Sequence, residues 1–308
     1  MMKRKKITFI ANGKKDSIGV GKEILNEFFS SDYDFEIKRT AIHGQAIQLA
    51  TESILTGTDY LIAIGGDGTT NEIINGYLQS DAEHRKNVIV GLIPFGTGND
   101  FSRSINAKSS VKYLHKLIIE NKVKPIDIGE VEYEKFSGGR AIRYFNNISQ
   151  IGVGAETVRL VNAGKKRFGP TLSYISSTIK AFVTYRHQNI KLTSDSFNYE
   201  GRIVSLCFAN GKYMGSGIGI APHANVDNGL LNVVIVGNVG VGEFIKYMPS
   251  LRKLKFIKHK EVQYKSLTNC ELISLDKNNF PVEMDGEYIG NTPIKVKVHP
   301  AKVNFLRE

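Results

Sequence analysis

A strand, a glycine-rich turn and a helix follow one another twice in quick succession, and this pattern constrains the fold more than any other feature. Tyr60-Leu61-Ile62-Ala63-Ile64 runs straight into Gly65-Gly66-Asp67-Gly68-Thr69-Thr70-Asn71-Glu72, and Val88 to Ile93 runs into Pro94-Phe95-Gly96-Thr97-Gly98-Asn99-Asp100-Phe101. Each apolar run is short, partly β-branched and closed by a glycine-rich turn, as expected of a strand buried on both faces of a parallel sheet. Asn71 to Leu78, with Ile73, Ile74 and Tyr77 at helical spacing, is expected to form the helix after the first turn. Glycines at 65, 66 and 68 let the backbone approach an anion, and a helix N-terminus favours negative charge. Thr69 and Thr70 add hydroxyl donors. Asp67, an acid in a loop otherwise suited to anions, makes sense where a divalent cation bridges it to phosphate. Two such loops side by side point to nucleotide-dependent phosphoryl transfer.

Around these turns the first part of the chain alternates. Ile7 to Ile10 reads as a strand, Gly21 to Phe29 as a helix, Phe35 to Arg39 as a strand and Gln45 to Leu55 as a helix, which is a βαβ pattern. After Pro125 the texture changes to short alternating or apolar runs: 140–148, 202–209, 230–236, 262–266, 271–275 and 294–298, with Gly, Asn and Asp between them. A second, mostly β domain is expected there, with helices at 171–184 and 241–254. Cys207 and Cys270 lie in apolar, strand-like contexts without metal-ligand spacing, so both are expected to be buried small hydrophobes rather than a disulfide.

The chain has 308 residues, 41% of them hydrophobic, enough for a buried core and two domains. No apolar run approaches the roughly 20 residues that span a bilayer, and Ile7 to Ile10 is too short for a signal-peptide core. A cytoplasmic protein is expected. Its net charge of +11 suits nucleotide phosphates or an anionic membrane surface. Gly164-Lys165-Lys166-Arg167-Phe168 and the stretch Arg252 to Lys260 interleave basic and apolar residues, as in a face that lies against headgroups or simply in a solvated amphipathic face. Nucleic acid is not expected as a partner, since zinc-finger, RNP-like and helix-turn-helix signatures are lacking.

Together, Gly65 to Asn71 and Phe95 to Phe101 resemble the diacylglycerol kinase catalytic-domain family, which includes bacterial lipid kinases and sphingosine kinases. Ile126-Asp127-Ile128-Gly129, Phe145-Asn146-Asn147, Gly152-Val153-Gly154, the stretch Ala221 to Leu231 and Asp285-Gly286-Glu287 resemble further landmarks in the same order. The Gly-Gly-Asp-Gly core is shared with NAD kinases and phosphofructokinases, whereas the second loop and the distant Asp-Gly-Glu favour the lipid kinases. The resemblance implies an α/β N-terminal domain with a parallel sheet (NAD kinase/diacylglycerol kinase-like) over 1–128. A β-rich, sandwich-like domain follows over 129–290, and the segment 291–308 returns to the first domain. It further implies an ATP- and Mg2+-dependent kinase for a lipid alcohol such as diacylglycerol, peripheral contact with an anionic membrane surface, and a possible homodimer. An NAD kinase-like enzyme with a soluble acceptor and a catalytically silent sensor of nucleotide or lipid are the alternatives.

By the same resemblance Thr40, Gly65, Gly66, Asp67, Gly68, Thr69, Asn71 and Thr97 contact the nucleotide, with Asn12 joining them from the first strand's end. The family's Asn-Pro and glycine-rich turn is replaced there by Ala11-Asn12-Gly13-Lys14-Lys15-Asp16-Ser17. Glu287 is the implied general base and Asp285 its alternative. Without the kinase loops, the same turn would read as a type I′-like hairpin with two solvated acids. Asp67 and Asp127 are the implied metal carboxylates, a cap or brace of the domain junction being the alternative for Asp127. A structural Mg2+ site would use Asn225, Asn228 and Leu230, but Asn228 stands where the family often carries aspartate, a better Mg2+ ligand. Phe168, Tyr174, Ile175, Phe182, Tyr213 and Met214 suit either an acyl-chain cleft between the domains or ordinary core.

Overall fold

The computed structural model describes residues 4–13, 18–29, 32–163, 170–277 and 279–308. Lys14 to Ser17 and the basic stretch 164–168, with Phe168, lie outside the described residues. The chain divides into two compact units, Met1–Ile126 with Ala301–Glu308, and Asp127–Pro300. Of the segment expected to return to the first domain, residues 301–308 belong to unit 1 and 291–300 to unit 2.

Unit 1 contains β1 (Lys5–Asn12), α1 (Ile18–Phe28), β2 (Tyr33–Thr40), α2 (Gln45–Leu55), β3 (Tyr60–Gly65), α3 (Asp67–Gln79), α4 (Ala82–Arg85), β4 (Ile89–Pro94), α5 (Asp100–Ser104) and α6 (Val111–Ile119). β4, β3, β1 and β2 lie side by side and parallel, and the end of the last strand of the chain joins next to β4, with Phe305 opposite Val90. All six residues of β3 are buried, the consequence of a central strand covered on both faces. On one face Phe9 meets Phe28 of α1 edge-on at 5.6 Å, within a core that also holds Ile24, Ile62, Leu114 and Leu306. α2 and α3 pack closely because position 76 is glycine: a Cβ there would lie 2.4 Å from the Ile47 carbonyl oxygen. α3 starts at Asp67, so residues 67–70 form its first turn rather than a loop before a helix at Asn71.

Unit 2 holds β5 (Val123–Glu134, from Asp127 on), β6 (Arg140–Phe145), β7 (Ile148–Gly152), α7 (Val153–Ala163), α8 (Pro170–Thr184), β8 (Gln188–Thr193), β9 (Asn198–Ile203), β10 (Ser205–Ala209), β11 (Tyr213–Met214), β12 (Ile218–Gly219), β13 (Leu231–Val236), α9 (Val241–Arg252), β14 (Val262–Leu267), β15 (Asn269–Ser274), β16 (Pro281–Met284) and β17 (Glu287–Leu306, to Pro300). One antiparallel run is β14-β13-β10-β7-β16-β17, and a second leaves β17 through β15, β8 and β9. Alternation sorts the side chains: Leu206, Phe208, Val233 and Ile235 join Leu192, Leu272 and Ile294 in the central core, whereas Cys207, Ala209 and Val234 point to the opposite face. That opposite face is covered by helices, which pack through Val153, Ala181 and Leu251. α7 was not expected from the sequence; it opens with β-branched Val153 followed by Gly154, both poor helix formers. Both cysteines are free and buried.

Candidate functional site

The parallel register of unit 1 brings the expected nucleotide residues to one edge of its sheet. Asn12 is opposite Thr40, and Gly65 is opposite Pro94, at the carboxyl ends of four adjacent strands. Asn12 Nδ2 lies 3.5 Å from Thr69 Oγ1, and the Gly13 N–H donates to Thr40 Oγ1 at 3.3 Å. Asn12, Thr40, Gly68 and Thr69 line one open pocket together with His43 and Glu72. Gly66 caps α3 in extended conformation without a side-chain hydrogen bond to the helix, so the first N–H groups of this 13-residue helix are left for other acceptors. Asn71 is buried and its Oδ1 accepts from Asn75 Nδ2 at 3.1 Å, while Thr97 stands exposed between β4 and α5. Neither lines that pocket.

The two glycine turns touch backbone to backbone. A Cβ on Gly96 would lie 2.3 Å from Gly66 Cα and 2.5 Å from Asn99 Oδ1, so contact at this distance requires glycine. Asp67 accepts the Asp100 N–H at 3.1 Å and the Phe101 N–H at 2.9 Å, one on each oxygen. The acid in the first turn therefore clamps the second turn at the start of α5, with its charge favoured there by the helix end. Glu72 acts in the same way on α2. Its oxygens accept the Gly44 and Ala46 N–H groups at 3.0 and 3.1 Å, and it pairs with His43 at 3.1 Å. The sequence reading did not single out Glu72; its signal was an acid one position ahead of the buried Ile73-Ile74 pair.

In unit 2, Asp285 and Gly286 form the two-residue loop of a hairpin, with Met284 paired to Glu287. Both loop residues have positive φ, 46° and 90°, as a type I′-like turn requires. Asp285 is not a solvated turn acid, because it accepts the Asn146 N–H at 3.1 Å and the Ile148 N–H at 2.8 Å. Glu287 instead forms an ion pair with Arg143. Of the two candidate bases, Asp285 is thus built into the backbone framework and Glu287 is held by a side chain.

The candidate metal residues of unit 2 are likewise engaged. Asp127 Oδ2 accepts the Gly229 N–H at 2.6 Å, its own N–H donates to the Val226 carbonyl at 2.6 Å, and Asn228 Oδ1 accepts the Leu230 N–H at 3.1 Å. The two bonds of Asp127 hold it to the loop at Val226 and Gly229, within unit 2. Among the described residues, neither unit by itself gathers three His, Cys, Asp or Glu donors within 4.8 Å of one another. Asn225, Asn228 and Leu230 offer only neutral oxygens, a weak donor set for Mg2+ held by protein alone. The candidate residues suit a Mg2+ ion carried mainly by nucleotide phosphates.

Behind the sheet face that carries Cys207 and Val234, the helices leave an apolar cavity. Tyr174, Thr178 and Phe182 of α8, at i, i+4 and i+8, form one wall, and Phe244, Tyr247 and Leu251 of α9 form another. Of the six residues considered for an acyl cleft, Tyr174, Phe182 and Met214 line it, Ile175 and Tyr213 do not, and Phe168 is outside the described residues. No described helix is long and apolar enough to cross a membrane.

Two family models match the chain. Residues 6–131 match the family model of the diacylglycerol kinase catalytic domain, and residues 147–307 match that of the YegS C-terminal NAD kinase β-sandwich-like domain. A diacylglycerol kinase of Staphylococcus carnosus is 26% identical over 95% of this chain and 91% of its own length, and one of Bacillus subtilis is 25% identical over 88% and 85%. A crystal structure of a Bacillus anthracis diacylglycerol kinase matches with a TM-score of 0.73 at 21% identity, covering 100% of this chain and 98% of the other. Yeast NADH kinase matches with a TM-score of 0.54 at 10% identity over 98% and 79% of the two chains, a likeness of fold alone.

Proposed function

Because the chain belongs to the diacylglycerol kinase family, with the YegS-type C-terminal β-sandwich, we propose that it transfers the γ-phosphate of ATP to the hydroxyl of a lipid such as diacylglycerol. The apolar cavity walled by α8 and α9 carries this reading, because a soluble acceptor has no use for a greasy recess of that kind.

Asn12, Thr40, Gly68 and Thr69 receive the nucleotide's phosphates, with the N–H groups at the start of α3 as fixed donors. Asp67 keeps the second turn, and with it Gly96 and Thr97, against the first. Mg2+ bound with ATP supplies charge neutralisation of the phosphates. Glu287 accepts the proton of the lipid hydroxyl as the phosphoryl group is transferred, and Arg143 orients its carboxylate. Asp285 anchors the turn through the backbone of 146 and 148 rather than serving as the base. The basic stretch Arg252 to Lys260 follows directly on α9 and carries half-exposed Phe256 between Lys255 and Lys258. Such a segment suits an anionic lipid surface, from which the substrate would come.

The deciding experiment measures ATP consumption with Mg2+ against mixed micelles of several lipid alcohols and against NAD. Lipid-dependent turnover that Glu287→Gln lowers by about 10^2 to 10^4, with ATP affinity unchanged, is the expected result. Turnover with NAD alone would replace this reading with a soluble acceptor, and ATP binding without turnover on any acceptor would favour a sensor.

A further inference from the structure

Two polar side chains of unit 2 have no role in that scheme and are buried where polar groups are costly. Glu283, 3% exposed, lies on β16 two residues before Asp285, and Gln150, 2% exposed, is its register partner on β7. The Gly286 N–H donates to Glu283 Oε1, so this carboxyl clasps the tip of the turn that carries Glu287. Gln150 hydrogen-bonds Glu283 and also faces the apolar cavity. The Gln150 amide has neighbours on two sides: Cys207 Sγ lies 3.7 Å from its Oε1, and the amide packs so close to Gly154 that a Cβ there would be 1.9 Å from that oxygen. A continuous line of contacts therefore runs from the cavity through Gln150 and Glu283 to Gly286.

We propose that Gln150 and Glu283 are a positioning pair that couples filling of the apolar cavity to the placement of the turn bearing Glu287. This inference rests on the lipid-kinase reading of the same site. A lipid tail packed against Gln150 narrows the positions its amide can take and favours the one that bonds Glu283. The favoured bond fixes Glu283, which fixes Gly286 and the carboxylate that follows it. Binding energy from the remote tail is thus spent on orienting the reacting group, so short-tailed substrates lose kcat as well as KM. Burial pushes the Glu283 carboxyl from its ordinary 4.5 to about 8, helped by the neighbouring charges of Asp285 and Glu287 and opposed by the Gly286 and Gln150 hydrogen bonds. A mainly neutral carboxyl keeps its acceptor for Gly286 without a buried charge.

Two measurements test the pair. The first needs no acceptor: amide hydrogen exchange over 281–290 in the nucleotide-free protein. Loss of one such clasp speeds local opening about tenfold, so Glu283→Leu exchanges faster while Glu283→Gln, which keeps an acceptor oxygen, stays close to wild type. The second compares kcat on dioleoylglycerol and dioctanoylglycerol in mixed micelles. Gln150→Leu is expected to bring the long-chain kcat down to the short-chain value with KM for ATP unchanged. Wild-type exchange in Glu283→Leu, equally fast exchange in Glu283→Gln, or a preserved long-chain advantage in Gln150→Leu each overturns the pairing. Wild-type protein without lipid turnover overturns the kinase reading and the coupling with it, while the exchange measurement still decides the clasp.

Discussion

Two glycines, one in each turn, make opposite predictions when each is replaced by alanine. At Gly96 the new Cβ would sit 2.3 Å from Gly66 Cα and 2.5 Å from Asn99 Oδ1, and the Gly66 backbone cannot swing aside as a flexible side chain could. Overpacking of this kind costs about 1–3 kcal/mol, and each kcal/mol lowers Tm by about 2–4 °C in a chain of this size class. At Gly68 nothing lies within 4 Å of the added Cβ, and the residue sits in the first turn of α3. Alanine there is expected to leave Tm unchanged or raise it slightly, since alanine is the better helix former by up to about 1 kcal/mol. If phosphate approaches the start of α3, however, the Cβ of Gly68→Ala stands in its way. Loss of one charge-assisted N–H contact, about 1.5–3 kcal/mol, weakens ATP binding about 10- to 100-fold. Differential scanning fluorimetry and calorimetric titration of ATP separate the two variants. Unchanged ATP affinity in Gly68→Ala would refute the placement of phosphate at this helix, and a full-Tm Gly96→Ala would refute the rigid contact between the turns.

Asp285→Asn is expected to lower Tm by several degrees, because the amide group turns a donor towards one of the N–H groups of Asn146 and Ile148, while Glu287→Gln keeps Tm and loses turnover; thermal melts beside activity assays read the contrast. The Glu283 carboxyl, raised to about 8 by burial, binds its proton more tightly in the folded protein than in the unfolded chain. Its contribution to stability is complete below its ordinary value of 4.5 and is lost as pH rises through 8, so Glu283→Gln is expected to flatten the fall of Tm across that window. Asn228→Asp preserves an oxygen for the Leu230 N–H and adds a charge beside Asp127. It is expected to gain a Mg2+-dependent rise in Tm that the wild type lacks; no added response to Mg2+ would argue against a metal site at this loop.

The parallel half of the fold was legible because its signals are local. Tyr60 to Ile64 is apolar without alternation, and only a strand covered on both faces tolerates that. The turns were legible for the same reason, but the work of their acids was not. Asp67 bonds to N–H groups 33 and 34 residues away, so its role as a clamp has no signature near residue 67. The cavity was half legible: Tyr174, Thr178 and Phe182 recur at helical spacing whether they meet a core or a recess, and only the packing of α8 and α9 over the sheet distinguishes the two. Glu283 carried no such signal: a carboxyl between Val282 and Met284 reads by alternation as a solvated position, and only the pairing with β7 opposite Gln150 shows that this face is buried as well.

Asp67, Glu72 and Asp285 share a geometry that bears on the metal. Each spreads its two carboxylate oxygens over two backbone N–H groups: of Asp100 and Phe101, of Gly44 and Ala46, and of Asn146 and Ile148. Hydrogen bonds to charged groups contribute about 1.5–3 kcal/mol each, so the turns carrying the candidate nucleotide and base residues are held by the protein's own carboxylates without need of a cation. Asp127 does the same for the loop at Gly229 with one oxygen. Chelation should therefore remove turnover, because the phosphates lose their counter-ion, yet leave the framework standing. Wild-type protein treated with EDTA is expected to keep its Tm to within about 1 °C, which for a chain of this size class is well under 1 kcal/mol. A fall of several degrees, reversed by Mg2+, would show that a bound metal, and not this set of carboxylate clamps, holds the site together.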